Sequence, residues 1–176
     1  MIGPVFVDTN IFVYARDPRD PTKKSCAKEW LQLLWNDKRG RTSIHVLSEF
    51  YAVLTRKLKT VSRDDAWEDV QLFMAWNPQP IDAQMLARAY EVEHRFHLSW
   101  WDSLVVASAQ AQACVLLLTE DLQDGANFGG VSVRNPFSLG VAEAVAAYGE
   151  VPKILSRYRG RGRPRKAAKR STAAAG

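Results

Sequence analysis

The chain has 176 residues, 47% hydrophobic and 24% charged, which is the balance of a globular domain rather than a disordered or fibrous protein. No apolar run approaches the ~20 residues of a membrane span, and the first residues lack the basic and apolar regions of a signal peptide. The net charge of +5 is uneven: residues 153–176 hold 9 of the 24 basic residues and no acid, leaving 15 basic residues against all 19 acids in residues 1–152. We therefore expect a cytoplasmic protein with a mildly acidic body and a basic tail that binds nucleic acid.

Short apolar runs alternate with longer amphipathic stretches up to about residue 137, a pattern that predicts an α/β fold with a largely parallel sheet. The predicted strands cover residues 2–7, 41–44, 115–118 and 131–133. The apolar spacing and the capping residues predict helices over about 23–36, 44–59, 62–76, 82–95, 99–113 and 139–148.

Four acids stand at positions where a globular protein seldom places a carboxylate. Asp8 and Asp121 follow predicted strands, and open α/β sheets bind ligands at the carboxyl ends of their strands. Glu49 and Asp102 share helical faces with apolar residues, so we expect both to lean toward the interior. Two like charges about 4 Å apart repel by roughly 4 kcal/mol at an effective dielectric near 20, so a cluster of acids takes up protons or binds a cation. Carboxylates around an open coordination sphere suit Mg²⁺, which predicts a phosphodiester-cleaving enzyme.

Each acid also has a purely structural alternative. Asp8 fits a helix cap, Asp102 fits a capping box with Ser99, and Glu49 fits a half-exposed helix position. Asp121 and Asp124 fit a turn. These alternatives are sound one at a time, but the common placement of all four favours a shared cleft.

The other residue types that could carry chemistry give fewer candidates for a functional role than the acids do. Cys26 and Cys114 match no zinc or redox spacing and are interpreted as small core residues. The three histidines are interpreted as surface or second-layer residues. Of the six tryptophans, Trp100 is the one candidate to test for stacking on RNA, because it stands beside Asp102. A haloacid-dehalogenase-type phosphatase also begins with an Asp after a strand, but it would carry a second acid where this chain has Asn10, which counts against that class of enzyme.

Several motifs together resemble PIN-domain proteins, and in particular the bacterial VapC-type toxins. The resemblance covers residues 2–137 and rests on motifs in matching order: Val7-Asp8-Thr9-Asn10, Ser48-Glu49-Phe50, Trp101-Asp102-Ser103-Leu104, Thr119-Glu120-Asp121-Leu122-Gln123 and Asn135-Pro136-Phe137. Many relatives have His after the position of Gln123, where this chain has Asp124, which we interpret as a surface acid.

The resemblance implies a three-layer α/β/α PIN-like domain over residues 1–137, followed by a helix or linker over residues 138–152. It implies an endoribonuclease dependent on Mg²⁺ or Mn²⁺, a toxin held in check by a cognate antitoxin and usually dimeric. Asp8 and Asp102 would be the principal metal ligands. Glu49 and Asp121 would complete the acidic pocket, as ligands of a second ion or holders of the attacking water. Thr9 or Thr119 would orient a carboxylate, unless their hydroxyls only make ordinary turn hydrogen bonds.

The tail, residues 153–176, cannot build a core and is predicted to be disordered alone. Its centre resembles an AT-hook, a motif that inserts arginines into the narrow, negative minor groove of A·T-rich DNA. The residues concerned are Arg161, Gly162, Arg163, Pro164, Arg165 and Lys166. The alternative is a polycation that binds RNA or DNA by counterion release. Two rival functions follow: a DNA-binding module on an inactive PIN scaffold, and a nuclease directed to A·T-rich DNA.

Overall fold

A computed structural model describes residues 3–58 and 61–138, and the description below concerns these residues. Five short strands and six α-helices make up this part of the chain. The strands are β1 (Val5–Val7), β2 (Gly40–Arg41), β3 (Leu116–Leu118), β4 (Asn127–Phe128) and β5 (Val131–Arg134). The helices are α1 (Thr9–Arg16), α2 (Pro21–Asn36), α3 (Ile44–Val53), α4 (Arg63–Met74), α5 (Ala83–Phe96) and α6 (Trp100–Ala111), and a π-helical turn, Leu54–Leu58, extends α3.

The strands form one sheet in the order β2-β1-β3-β5-β4. Every pairing is parallel except the β4–β5 hairpin. The next strand in the chain, β2, pairs with one edge of β1, and β3 pairs with the other edge. The strand order therefore reverses at β1. Doubly wound sheets bind ligands at such a switch point, outside the carboxyl ends of the strands. The predicted α/β/α fold with a mostly parallel sheet is confirmed.

A continuous apolar core holds the strands and helices together. All three residues of β1 and of β3 are buried, as expected for central strands covered on both faces. An aromatic cluster joins three helices: Phe12 of α1 contacts Phe50 of α3 at 5.6 Å and Phe73 of α4 at 4.6 Å between ring centroids. Trp76, just beyond α4, packs on the same ring at 5.9 Å. These contacts lock α1 in place, and α1 begins at the switch point.

The structure differs from the predicted elements mainly in short segments. The eight-residue helix α1 was not predicted, because Asp8-Thr9-Asn10 also fits a simple turn, and the two-residue strand β4 gives too short a pattern to detect. The remaining helices lie within a few residues of the predicted bounds. The predicted helix 139–148 and the tail 153–176 lie outside the described residues. None of the described helices combines the length and the apolarity needed to cross a membrane.

Candidate active-site cleft

All four acids singled out from the sequence line one cleft of about 860 Å³ at the switch point. Asp8 follows β1 and Thr119 follows β3, and the register that pairs Val7 with Leu118 brings them side by side. Glu49 reaches the cleft from α3 and Asp102 from the first turn of α6. Sheet topology thus brings together residues that are up to 113 positions apart in the chain.

Asp8 is the buried acid of the group, with 8% of its surface exposed. One carboxylate oxygen accepts the Thr9 backbone N–H at 2.7 Å, and the other accepts the Thr119 hydroxyl at 2.7 Å. Burial raises the pKa of Asp8 to about 7, and the neighbouring charges of Asp121 and Glu49 add to the rise, while the two hydrogen bonds oppose it. Burial without a counter-ion therefore disfavours the charged form of Asp8. Asp8 also caps α1, so the structural alternative is realised as well.

Two threonines orient the acids, each on a different carboxylate. The Thr9 hydroxyl donates to Glu49 Oε2 at 2.8 Å, and the Thr119 hydroxyl donates to Asp8. Asn10 completes the network, because its amide nitrogen donates to Thr119 Oγ1 at 3.1 Å and to Asp121 Oδ2 at 3.0 Å. The threonines thus act on the carboxylates directly, beyond ordinary turn bonding.

Glu49 and Asp102 are less interior than the helical spacing suggested. Glu49 is exposed and Asp102 only half-buried, because the faces of α3 and α6 that carry them open on the cleft rather than on the core. The expectation that both lean into the interior was wrong for Glu49. Asp102 also closes the capping box of α6: Ser99 Oγ donates to its carboxylate at 2.6 Å and accepts its backbone N–H at 3.2 Å. Asp121 is exposed and also lines the cleft.

The charge balance of the cleft bears on metal binding. Within residues 3–58 and 61–138, no three His, Cys, Asp or Glu side chains have the spacing of a formed metal site. The acids are nevertheless uncompensated, since no ion pair between described residues includes Asp8, Glu49, Asp102 or Asp121. In addition, Asn10 Oδ1 is buried and accepts no hydrogen bond. Carboxylate oxygens without counter-ions beside an unsatisfied amide oxygen are a donor set that fits a hard cation such as Mg²⁺.

A second network borders the cleft where the described chain ends. Lys23 pairs with Glu120 Oε2 at 2.6 Å and contacts the Tyr14 hydroxyl at 3.0 Å, while that hydroxyl donates to Glu120 Oε1 at 2.5 Å. Phe137 packs edge-on against the Tyr14 ring at 5.0 Å. Glu120, which also lines the cleft, is thereby paired with Lys23, and Tyr14 joins the cleft wall to the end of the described chain.

The sequence did not indicate which aromatic residues would reach the cleft. Trp100, the tryptophan singled out as a candidate for RNA stacking, is half-buried against the core, and it is Trp101 that lines the cleft, 62% exposed. The His45 ring stacks on it, with centroids 5.1 Å apart and planes 7° from parallel. Burial lowers the pKa of His45, while the charge of Glu49 opposes this effect. No sequence signal pairs these two residues, which are 56 positions apart on different helices.

The other sequence candidates lie where expected. Asp124 is a surface acid, 39% exposed in its side chain and paired with Arg134 at 3.2 Å. Cys114 is buried, and Cys26 is partly buried against the core. His94 and His97 are exposed.

An α/β/α domain in which two carboxylates after strands and two on helices line one cleft is a recognisable class of protein, and a known family matches it. Residues 5–123 match the PIN domain family, so the chain belongs to that family. No curated protein is similar enough in sequence to count as a match.

Three solved structures share the fold. The sarcin–ricin-loop-cleaving toxin VapC20 of Mycobacterium tuberculosis is 21% identical, with a TM-score of 0.50 over 64% of this chain and 86% of its own. A toxin–antitoxin complex from Klebsiella pneumoniae is 20% identical, with a TM-score of 0.52 over 75% of this chain and 97% of its own. VapBC2 of Rickettsia felis, bound to a DNA fragment from its promoter, is 18% identical, with a TM-score of 0.53 over 77% of this chain and 98% of its own. At these identities the likeness concerns the fold.

Proposed function

We propose that the chain is a metal-dependent endoribonuclease that hydrolyses RNA phosphodiester bonds in the cytoplasm, as the toxin of a type II toxin–antitoxin module. Membership of the PIN family and the fold shared with three toxin or toxin–antitoxin structures support this proposal. The observation that carries it is the cleft itself, which is lined by four carboxylates that form no ion pair among the described residues. The toxin–antitoxin complexes among the similar structures support a cognate antitoxin as the proposed partner. The homodimer that we propose as the assembly rests on the family resemblance alone.

The four acids have distinct roles in this proposal. Asp8 and Asp102 are the principal ligands of Mg²⁺, for which Mn²⁺ can substitute. Glu49 and Asp121 hold the attacking water or a second ion. A bound divalent ion supplies an activated water and offsets the charge on the scissile phosphate.

The protein's own groups position these carboxylates and the substrate. The Thr9 N–H and the Thr119 hydroxyl hold Asp8 in one orientation, and Asn10 holds Asp121. The Thr9 hydroxyl holds Glu49, which is exposed, and the Ser99 hydroxyl holds Asp102, which is half-buried. Arg56, exposed on the cleft wall and outside every ion pair between described residues, is placed to bind a phosphate of the RNA.

The test is cleavage by the purified full chain of end-labelled RNA pools and of duplex DNA, in Mg²⁺, in Mn²⁺ and in EDTA. We expect RNA to be cut in either metal, and cleavage to be lost in EDTA and in Asp8→Asn and Asp102→Asn. Asp124→Asn is the matched control, because it removes an acid paired with Arg134 outside the cleft and should cleave normally. Cleavage that survives Asp8→Asn in a clean preparation would show the assignment of the site to be wrong.

The basic tail supports a second function. We propose residues 1–137 as the nuclease domain, 138–152 as a linker and 153–176 as a nucleic-acid-binding tail, which binds A·T-rich duplex through Arg161, Gly162, Arg163 and Pro164, with Arg165 and Lys166 on the phosphates. If the chain cleaves nothing but binds A·T-rich duplex tightly, the function belongs to the tail and the cleft is an inactive remnant. Cleavage of A·T-rich DNA in preference to RNA would instead indicate a DNA nuclease.

A further inference from the structure

The cleft contains an aromatic feature that metal-assisted hydrolysis does not require. Trp101 is 62% exposed, although an indole is among the side chains that gain most from burial. Its neighbour Trp100 packs against the core, so α6 has an interior place for one indole and presents the other to the cleft. An exposed tryptophan in a concave site is a candidate ligand-stacking surface.

The indole is held by a partner rather than projecting freely. The His45 ring lies on one face of Trp101, 5.1 Å away and 7° from parallel. This contact joins α3 to the first turn of α6 and limits the rotation of the indole. Because His45 stacks on one face, the opposite face of Trp101 is the one left for a second ring. A flat, pre-oriented aromatic face loses little conformational entropy when a second ring stacks on it.

The position of the pair relates it to the acids. His45 lies four residues before Glu49 on α3, which is the spacing of one helical face, and Trp101 directly precedes Asp102 on α6. Each helix therefore contributes one ring and one carboxylate to the same cleft. A planar group stacked on Trp101 would therefore lie near Glu49 and Asp102, the acids proposed to act at the scissile phosphate.

We propose that the open face of Trp101, backed by His45, is a binding subsite for one unpaired nucleobase next to the scissile phosphate. This inference rests on the proposed function and narrows its substrate to single-stranded RNA or a looped-out base. In a duplex both faces of a base are covered by its neighbours, so the subsite discriminates against paired RNA. Stacking is tolerant of base identity, so the pair selects strandedness more than sequence.

Binding of a fluorescein-labelled 12-nucleotide RNA by the full chain, in EDTA, tests the subsite by anisotropy, with the RNA checked on a denaturing gel for integrity. We expect Trp101→Ala to bind single strands about 5- to 150-fold more weakly, the loss of one stacked base, and Trp101→Phe to lose less. Trp67→Ala is the matched control, because Trp67 is 51% exposed but does not line the cleft. It should bind like the unmodified chain.

A second measurement separates stacking from binding of the RNA backbone by the tail. Single abasic sites placed along the oligonucleotide leave every phosphate in place. We expect one position to weaken binding to the unmodified chain but to have no further effect on Trp101→Ala, so that the two losses are not additive. Equal affinity of Trp101→Ala and the unmodified chain, or losses that add at every position, would overturn the subsite.

The failures of this inference and of the proposed function can be told apart. Metal-dependent cleavage with no coupling between Trp101 and any base retains the nuclease and rejects the subsite. Coupling between Trp101 and one base, without cleavage by the full chain, retains the subsite and rejects the nuclease.

Discussion

At the scale of single residues, the ionised form of Asp8 lowers the stability of the fold, although the proposed function needs that form as a metal ligand. Its pKa on folding rises to about 7, chiefly through burial. Since the folded pKa lies above the unfolded one, ionisation of Asp8 destabilises the fold. The penalty is absent below about pH 4, grows between the two pKa values and is complete above pH 7, where it amounts to roughly 4 kcal/mol.

We therefore expect Asp8→Asn to be more stable than the unmodified chain in EDTA at pH 8. The gain should be about 1–3 kcal/mol, because the amide keeps only part of the hydrogen bonding of the carboxylate. The advantage should shrink as the pH falls to 5. Thermal unfolding across this range measures it, with Asp124→Asn as the control that leaves Asp8 in place.

Excess Mg²⁺ provides the complementary measurement. A ligand that binds only the folded state raises its stability, so Mg²⁺ should raise the Tm of the unmodified chain and leave Asp8→Asn unaffected. An Asp8→Asn variant that is less stable than the unmodified chain at pH 8 would contradict the picture of an uncompensated buried carboxylate.

At the scale of elements, the same capping box is used twice, once inside the cleft and once outside it. Ser99 caps α6 and holds Asp102, and Ser62 caps α4 and holds Asp65 with nearly the same geometry. Only Asp102 lines the cleft.

We expect Ser99→Ala and Ser62→Ala to lose similar stability, about 1 kcal/mol each, because each removes an N-cap. Only Ser99→Ala should lower RNA cleavage as well, since it releases the carboxylate of Asp102 from its hydrogen bond. Denaturant unfolding and cleavage rates of the two variants check this. Equal cleavage by both would mean that the capping box does not position Asp102.

The elements also show how far the sequence could predict the structure. Asp8 and Asp121 could be located from the sequence because each closely follows an apolar run, and the burial of β1 and β3 makes those runs easy to recognise. Helical spacing located α3 but misjudged Glu49, since a helix face on a cleft looks, in sequence, like one on the core. The stack of His45 on Trp101 depends on how α3 and α6 meet, a tertiary contact with no local signature.

At the scale of the whole molecule, the charge separation between residues 1–152 and the tail can be tested without truncation. Arg161→Ala with Arg163→Ala removes two charges from the centre of the hook, and Arg165→Ala with Lys166→Ala removes two from its flank. An AT-hook predicts that only the first pair abolishes the preference for A·T over G·C duplex, because those arginines enter the minor groove. A polycation predicts equal losses from both pairs. Affinities for the two duplexes at fixed salt distinguish these outcomes.

The contact between Tyr14 and Phe137 places the end of the described chain on the wall of the cleft. Residues 139–152 can span at most about 50 Å, so the first residue of the tail stays within that radius of the cleft. If the tail binds nucleic acid as proposed, that nucleic acid is confined with the cleft in a volume equivalent to roughly a millimolar concentration. Weak intrinsic affinity of the cleft for its substrate would then be no obstacle, because capture by the tail and reaction in the cleft would be successive steps on one tethered molecule.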